Sequence, residues 1–213
     1  MVKIIIVCAT QSEMQALQVQ TWKSRHEIRT ALSGIGVLSA SYYINELCRQ
    51  KPDLLIQAGI GGYAGEQLSP GEVCIIEADR LGDLGAEDQH NFLNTYDLKL
   101  EDENNFPFEG AYLKNPYLNT GTFPWPLRKA YTVNTCSGSE KTVQHRRKHF
   151  PEHIESMEGA ALHFICLQNQ IPFIQFRAIS NRVEIRNRDS WKVQEALTAL
   201  HLAVQDFVLK LPS

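Results

Sequence analysis

Four short apolar runs limit what this chain can become. Residues 2–9, 54–58, 73–77 and 173–179 are continuous and rich in β-branched side chains. A strand with one wet face would alternate apolar and polar residues, so continuous runs point to strands covered on both faces. Between them, residues 12–22, 37–49, 158–170 and 190–211 carry apolar residues at helical spacing. Strand and helix alternating in this way predict an α/β sandwich around a largely parallel sheet, as a single domain over residues 1–213. Local signals agree: Ser190 or Asp189 can cap the last helix, Pro52 ends the helix before the second run, and Pro172 precedes the fourth. Ligands of such sheets gather at the carboxyl ends of the strands. Residues 80–126 stand apart, being acidic, rich in Asn, Pro and Gly, and weakly periodic. A long irregular insert of this kind is usually functional or interfacial.

Bulk chemistry narrows the partner. With 43% hydrophobic and 21% charged residues the chain reads as a soluble globular protein. Its formal net charge of −3 supplies no field that would gather nucleic acid or an anionic membrane, which leaves a small molecule as the expected partner. No apolar run approaches the roughly 20 residues needed to cross a bilayer. The opening run meets polar Thr10-Gln11-Ser12-Glu13 and reads as a buried first strand rather than a signal peptide. The cysteines Cys8, Cys48, Cys74, Cys136 and Cys166 are odd in number and form no C-x-x-C pair, which predicts reduced thiols and a cytoplasmic location.

The polar residues that could carry chemistry sit at strand-to-helix junctions. Glu13 follows the first strand, Glu158 opens a helix in Ser156-Met157-Glu158-Gly159-Ala160-Ala161, and Asn181 follows the last strand in Arg177-Ala178-Ile179-Ser180-Asn181. Either glutamate alone also reads as a helix-start charge favoured by the macrodipole. Ser33-Gly34-Ile35-Gly36 leads into a helix and Gly59-Ile60-Gly61-Gly62 follows a strand, so both allow backbone amides to approach a ligand, or are simply tight turns. Neither matches a P-loop or a dinucleotide fingerprint. His149 and His153 are four apart, but Pro151 between them opposes a helix that would aim both at one zinc, and they read as solvated. Glu152 and Glu155 read as surface charges.

In order and spacing these segments, with Ala9-Thr10-Gln11-Ser12-Glu13-Met14 at the end of the first strand, resemble the methylthioadenosine/S-adenosylhomocysteine nucleosidase branch of the nucleoside phosphorylase superfamily nearly end to end. Within that branch, residues 181–191 and 133–139 are similar to the futalosine hydrolase family, which cleaves hypoxanthine from futalosine on an alternative route to menaquinone. The resemblance implies a three-layer sandwich with a mixed, largely parallel central sheet. It also implies a nucleoside substrate, no metal or organic cofactor, and a homo-oligomer of two or more chains. It makes Glu13 the base that activates water, Glu158 the acceptor for the ribose hydroxyls, Met157 the packing surface for the ribose, and Asn181 the reader of the purine. Ser33, Gly59, Ile60, Gly61, Arg177 and Ser180 fall in matched segments as further substrate contacts, Thr135, Cys136 and Ser137 in a looser one, and Trp191 flanks the base or the 5′ substituent.

Departures from the adenine-specific members bear on the substrate. Those carry an Asp where this chain has Asn181, a Glu where it has Ser156, and a Ser near Ile60. A protonated Asp matches adenine, which pairs an amino donor with the N7 acceptor. Hypoxanthine offers two acceptors, O6 and N7, so an amide that donates to O6 while its carbonyl awaits the proton arriving on N7 favours a 6-oxopurine. The benzoate of futalosine calls for a cation, and Arg182, Arg186 and Arg188 cluster after Asn181; the alternative is an exposed basic loop balanced by Glu184 and Asp189. Three rivals remain. An inosine-type phosphorylase is opposed by Glu13, whose charge would repel phosphate. A methylthioadenosine nucleosidase is opposed by Asn181. A non-catalytic nucleoside binder is opposed by the presence of both Glu13 and Glu158.

Overall fold

Neighbouring residues of one strand feed opposite cores, and this alternation builds the layers. The computed structural model describes residues 1–89, 91–120 and 123–212. In β1 (Lys3–Cys8), Ile4, Ile6 and Cys8 enter one core while Val7 enters another. In β3 (Leu54–Tyr63), Ile56 and Ala58 join the first and Leu55 the second. The first core is closed by α1 (Gln11–Leu17) and α5 (Val193–Lys210), which supplies Ala196, Leu200 and Val204. The second is closed by α2 (Val37–Cys48) and α4 (Gly159–Asn169), through Ala40, Ile44, Leu162 and Cys166. Each fully buried Ile or Leu contributes about 1.5–3 kcal/mol.

The sheet is mixed and largely parallel. β2 (Glu27–Leu32), β1 and β3 pair in parallel, and β3 also pairs in parallel with β10 (Phe173–Arg182). From β10 the sheet continues antiparallel to β4 (Val73–Asp79), then in parallel to β8 (Leu127–Thr132) and β9 (Ile154–Ser156). β9 returns antiparallel to the far end of β3, so five strands close into a ring beside the open part of the sheet. Within residues 80–126, β5 (Gly85–Asp88) and β6 (Asn91–Asn94) form a hairpin and β7 (Leu113–Lys114) adds to β4. Residues 90, 121 and 122 of that insert lie outside the described residues.

Several expectations need correction. Gly59-Ile60-Gly61-Gly62 is no turn but the second half of β3. Its glycines are there because other side chains cross the strand: a Cβ on Gly59 would stand 2.5 Å from Arg177 Nη1 and 3.0 Å from Glu13 Oε1. Neither Asp189 nor Ser190 caps α5, which starts from Lys192 without a side-chain cap. The Ser190 hydroxyl is engaged instead with Asn187 O at 2.8 Å and Glu184 Oε1 at 3.0 Å. α3 (Glu140–His149) ends before Pro151, and His153 is half-buried, bonded to the Tyr112 hydroxyl at 3.0 Å.

Candidate active site

Glu13 owes its position to a capping box. Thr10 caps α1, its hydroxyl accepting the Glu13 N–H, while Glu13 Oε2 accepts the Thr10 N–H at 3.0 Å and the Thr10 hydroxyl at 2.9 Å. The other oxygen, Oε1, accepts the Ile60 N–H at 3.0 Å, which is how the middle of β3 reaches the site. Three donors therefore fix the carboxylate at the carboxyl end of β1, and a lone pair on Oε1 is left over.

Glu158 is fixed from the opposite side. It occupies the cap position of α4 but makes no cap bond with its side chain. Its Oε1 accepts the N–H of Gly36 at 3.0 Å, and its Oε2 lies 3.7 Å from Arg177 Nη1. Gly36 has φ +86°, the left-handed region open to glycine, and this aims its amide at the carboxylate. Both glutamates are 5% exposed. Burial pushes the Glu158 carboxyl above its ordinary range; Arg177 and the Gly36 amide pull the other way, and the charge of Glu13 adds to the rise.

Arg177 lies beneath the two acids, 1% exposed, its Nη2 donating to Gln57 Oε1 at 2.8 Å and its Nη1 to Ile60 O at 3.3 Å. On the third side, β10 carries a bulge between Ile179 and Asn181, and bulges re-aim side chains. Asn181 Oδ1 accepts the Ser180 hydroxyl at 2.8 Å and its Nδ2 donates to Arg182 O at 2.8 Å. One N–H and one carbonyl lone pair remain for a ligand.

These groups share one cleft of about 220 Å³. Its lining brings together Glu13, Glu158 and Asn181 with Met157, Ile60, Gly61, Cys136, Ser137, Ser180 and Trp191. Ala9, Thr10, Ile35, Gly62, Ser156 and Glu155 line it as well. Others lie elsewhere. Ser33 is fully buried with its hydroxyl on Cys8 O and Gly34 O, and Thr135 is exposed beyond the lining. Gly59 and Arg177 lie under the floor. Arg182 faces a separate cavity beside Glu66, Arg147 and Glu152, and bonds to Gly65 O. Arg186 sits outside the lining but over the Trp191 ring, 5.1 Å from its centroid.

Glu155 is not the surface charge that the sequence suggests. It is 6% exposed, and its carboxylate takes the Ser137 N–H at 2.9 Å, the Ser137 hydroxyl at 2.5 Å and the Tyr131 hydroxyl at 3.2 Å, pinning the loop after β8 to the cleft wall. Glu152 is half-buried and accepts the Tyr63 hydroxyl. The Cys136 thiol is pushed up to about 11 by burial and by Glu155 and Glu158, so it is no thiolate nucleophile at neutral pH. Among the described residues no group of three or more His, Cys, Asp or Glu is placed to hold a metal ion.

The sequence profile of the phosphorylase superfamily matches residues 3–210. The chain belongs to the phosphorylase superfamily. Among curated relatives, it is 30% identical over 152 residues to the futalosine hydrolase of Streptomyces coelicolor, a stretch that spans 71% of this chain and 63% of that protein. It is 28% identical over 160 residues to the futalosine hydrolase of Acidothermus cellulolyticus, spanning 74% of this chain and 65% of that protein. In three dimensions it superposes on the futalosine hydrolase of Helicobacter pylori strain 26695 with a TM-score of 0.78 at 14% identity, over 98% of both chains. That identity speaks for the superfamily fold alone. No helix among the described residues is long and apolar enough to cross a membrane.

Proposed function

We propose that the chain, as a single domain over residues 1–213, hydrolyses the N-ribosidic bond of futalosine and releases hypoxanthine and dehypoxanthine futalosine. The observation that carries the reading is the convergence of Glu13, Glu158 and Asn181 on one cleft, with an amide rather than a carboxylate in the third place. Cleaving this bond builds positive charge on the sugar and negative charge on the departing purine, so a site must stabilise both ends. Glu13, with its spare lone pair facing the cleft, takes the proton of the attacking water, a role worth about 10²–10⁴-fold. Glu158 accepts the ribose hydroxyls, and its charge favours the oxocarbenium-like state over the neutral sugar. Asn181 donates its free N–H to O6, and its carbonyl accepts the N7–H that the departing purine gains from solvent, a proton balanced by the one Glu13 takes from water and returns to solvent.

The same geometry sorts the three arginines. Arg182 is turned to another cavity and Arg188 is exposed outside the cleft lining, whereas Arg186 stacks on Trp191, which lines the cleft. Arg186 is therefore the partner for the benzoate on the 5′ side. Hydrolysis is favoured over phosphorolysis because the first-strand loop offers a carboxylate where phosphate would need cations.

A cytoplasmic homo-oligomer completes the reading. Four of the five cysteines are buried as free thiols, and Ile35, Leu38 and Tyr42, exposed by 61%, 87% and 65%, form an apolar stripe at the start of α2 beside the cleft. The experiment is to offer futalosine, methylthioadenosine and inosine, each with and without phosphate, and to identify the base and sugar released. Hypoxanthine from futalosine without phosphate is the expected result. A phosphate requirement with a sugar 1-phosphate product overturns it.

A further inference from the structure

Asp79 ends β4 behind the cleft and is fully buried. Its Oδ1 accepts the Thr132 hydroxyl at 2.9 Å and the Arg80 N–H at 2.8 Å, while Oδ2 has no hydrogen-bond partner among the described residues. Having given its proton to Asp79, the Thr132 hydroxyl accepts the N–H of Ala160 at 2.8 Å, and Ser156 Oγ accepts the N–H of Gly159 at 3.3 Å. The first amides of a helix have no partner within it. In α4 they are met by side chains from β8 and β9, which leaves Glu158 at the cap position with its own side chain free to enter the cleft. A methyl group on Gly159 would collide with Asp79 Oδ2 and Gln175 Nε2, so the Asp79 carboxyl is wedged against the backbone of the residue after Glu158.

We propose that Asp79, acting through Thr132 and against Gly159, is a positioning residue that fixes the direction in which Glu158 meets the ribose hydroxyls of the substrate. The inference rests on the role given to Glu158 above. The groups facing Asp79 are Thr132, Gln175 and the cation Arg177. His163, which packs on Gln175 from α4, is neutral because burial lowers it to about 4. A buried carboxyl with one bare oxygen is expensive. Its return here is orientation: without it the Thr132 hydroxyl can rotate, and the start of α4 loses a fixed acceptor.

The test compares kcat/KM for the nucleoside substrate and for its 2′-deoxy analogue, a ratio that reports the contact between Glu158 and the 2′-hydroxyl. Asp79→Ala and Thr132→Val are expected to lower the ratio by at least about tenfold. Asp79→Asn and Thr132→Ser, which keep the acceptor and the hydroxyl, hold it within about threefold. Adding Asp79→Ala to Glu158→Ala lowers the ratio no further, the mark of residues acting through one contact. General loosening of the fold would depress both substrates together and leave the ratio alone. A ratio preserved in both Asp79→Ala and Thr132→Val, with an active wild type, overturns the positioning role. A wild type inactive on every purine nucleoside overturns the reading of the site instead.

Discussion

Exchanging Asn181 for Asp changes one atom and tests the choice of base. In the structure Nδ2 donates to Arg182 O at 2.8 Å, which leaves a second N–H on that nitrogen, the donor that the proposed function assigns to purine O6. An ionised Asp keeps the Ser180 bond at Oδ1 but replaces both donations with repulsion between oxygens. Each lost bond is worth about 1–3 kcal/mol when the group left behind is buried. The loss at the purine falls on kcat/KM and predicts a drop of about tenfold to 100-fold for futalosine and inosine at neutral pH. The loss at Arg182 falls on stability, about 2–4 °C in Tm for each kcal/mol in a chain of this size. A protonated Asp can donate again, so the deficit relative to wild type shrinks as pH falls, and adenine nucleosides gain relative to hypoxanthine ones. Steady-state kinetics from pH 5 to pH 8 measure the change in substrate choice, and thermal denaturation measures the change in Tm. An N181D enzyme within about twofold of wild type on hypoxanthine nucleosides at neutral pH refutes the argument.

Glu13→Gln keeps acceptor and shape at one oxygen but cannot take a proton, so kcat should fall about 10²–10⁴-fold with little change in KM, as rapid-quench and steady-state assays would read. Arg186→Ala should cost about tenfold to 100-fold in kcat/KM on futalosine yet leave inosine untouched, while Arg182→Ala and Arg188→Ala leave both unchanged; equal losses on the two substrates would remove Arg186 from the 5′ subsite. Asp79 is raised by burial from 3.8 to about 6, so its neutral form is favoured on folding, and the stability it lends below pH 4 is lost as pH climbs through 6. Asp79→Asn escapes that loss: urea midpoints at pH 4, 5, 6 and 7 should show the variant gaining on wild type by up to about 3 kcal/mol, then levelling.

What could be read from the sequence was whatever made continuous apolar runs or helical stripes. β1, β3, β4 and β10 are runs of that kind; Glu13 is found from the end of β1, Asn181 from the last residues of β10, and Glu158 from the helical pattern of α4. β2 and β8 escaped because Glu27 and Arg29 in the one, and Arg128 and Lys129 in the other, interrupt any continuous apolar run, and β9 because three residues give no pattern. α3 reads Glu-Lys-Thr-Val-Gln-His-Arg-Arg-Lys-His, with Val143 as its one apolar side chain, so no stripe marks it. Glu155 was lost with β9: only a strand assignment for Ile154-Glu155-Ser156 would have shown a carboxylate facing inward between two buried neighbours. The separation of Arg182 from Arg186 was equally out of reach, since one side chain leaves the last strand and the other the loop beyond it.

β3 and β10 hold membership in two structures at once, their first halves in the open sheet and their second halves in the closed ring. Side chains alternate across a strand, so a slip of one residue would exchange its two faces, sending Ile56 out of the core and turning Ile60 away from the cleft in β3, or doing the same to Phe176 and Asn181 in β10. Insertions and deletions are thus tolerable only in the connections, and new substrates for such a chain must come from loops hung on an immovable pair of rails.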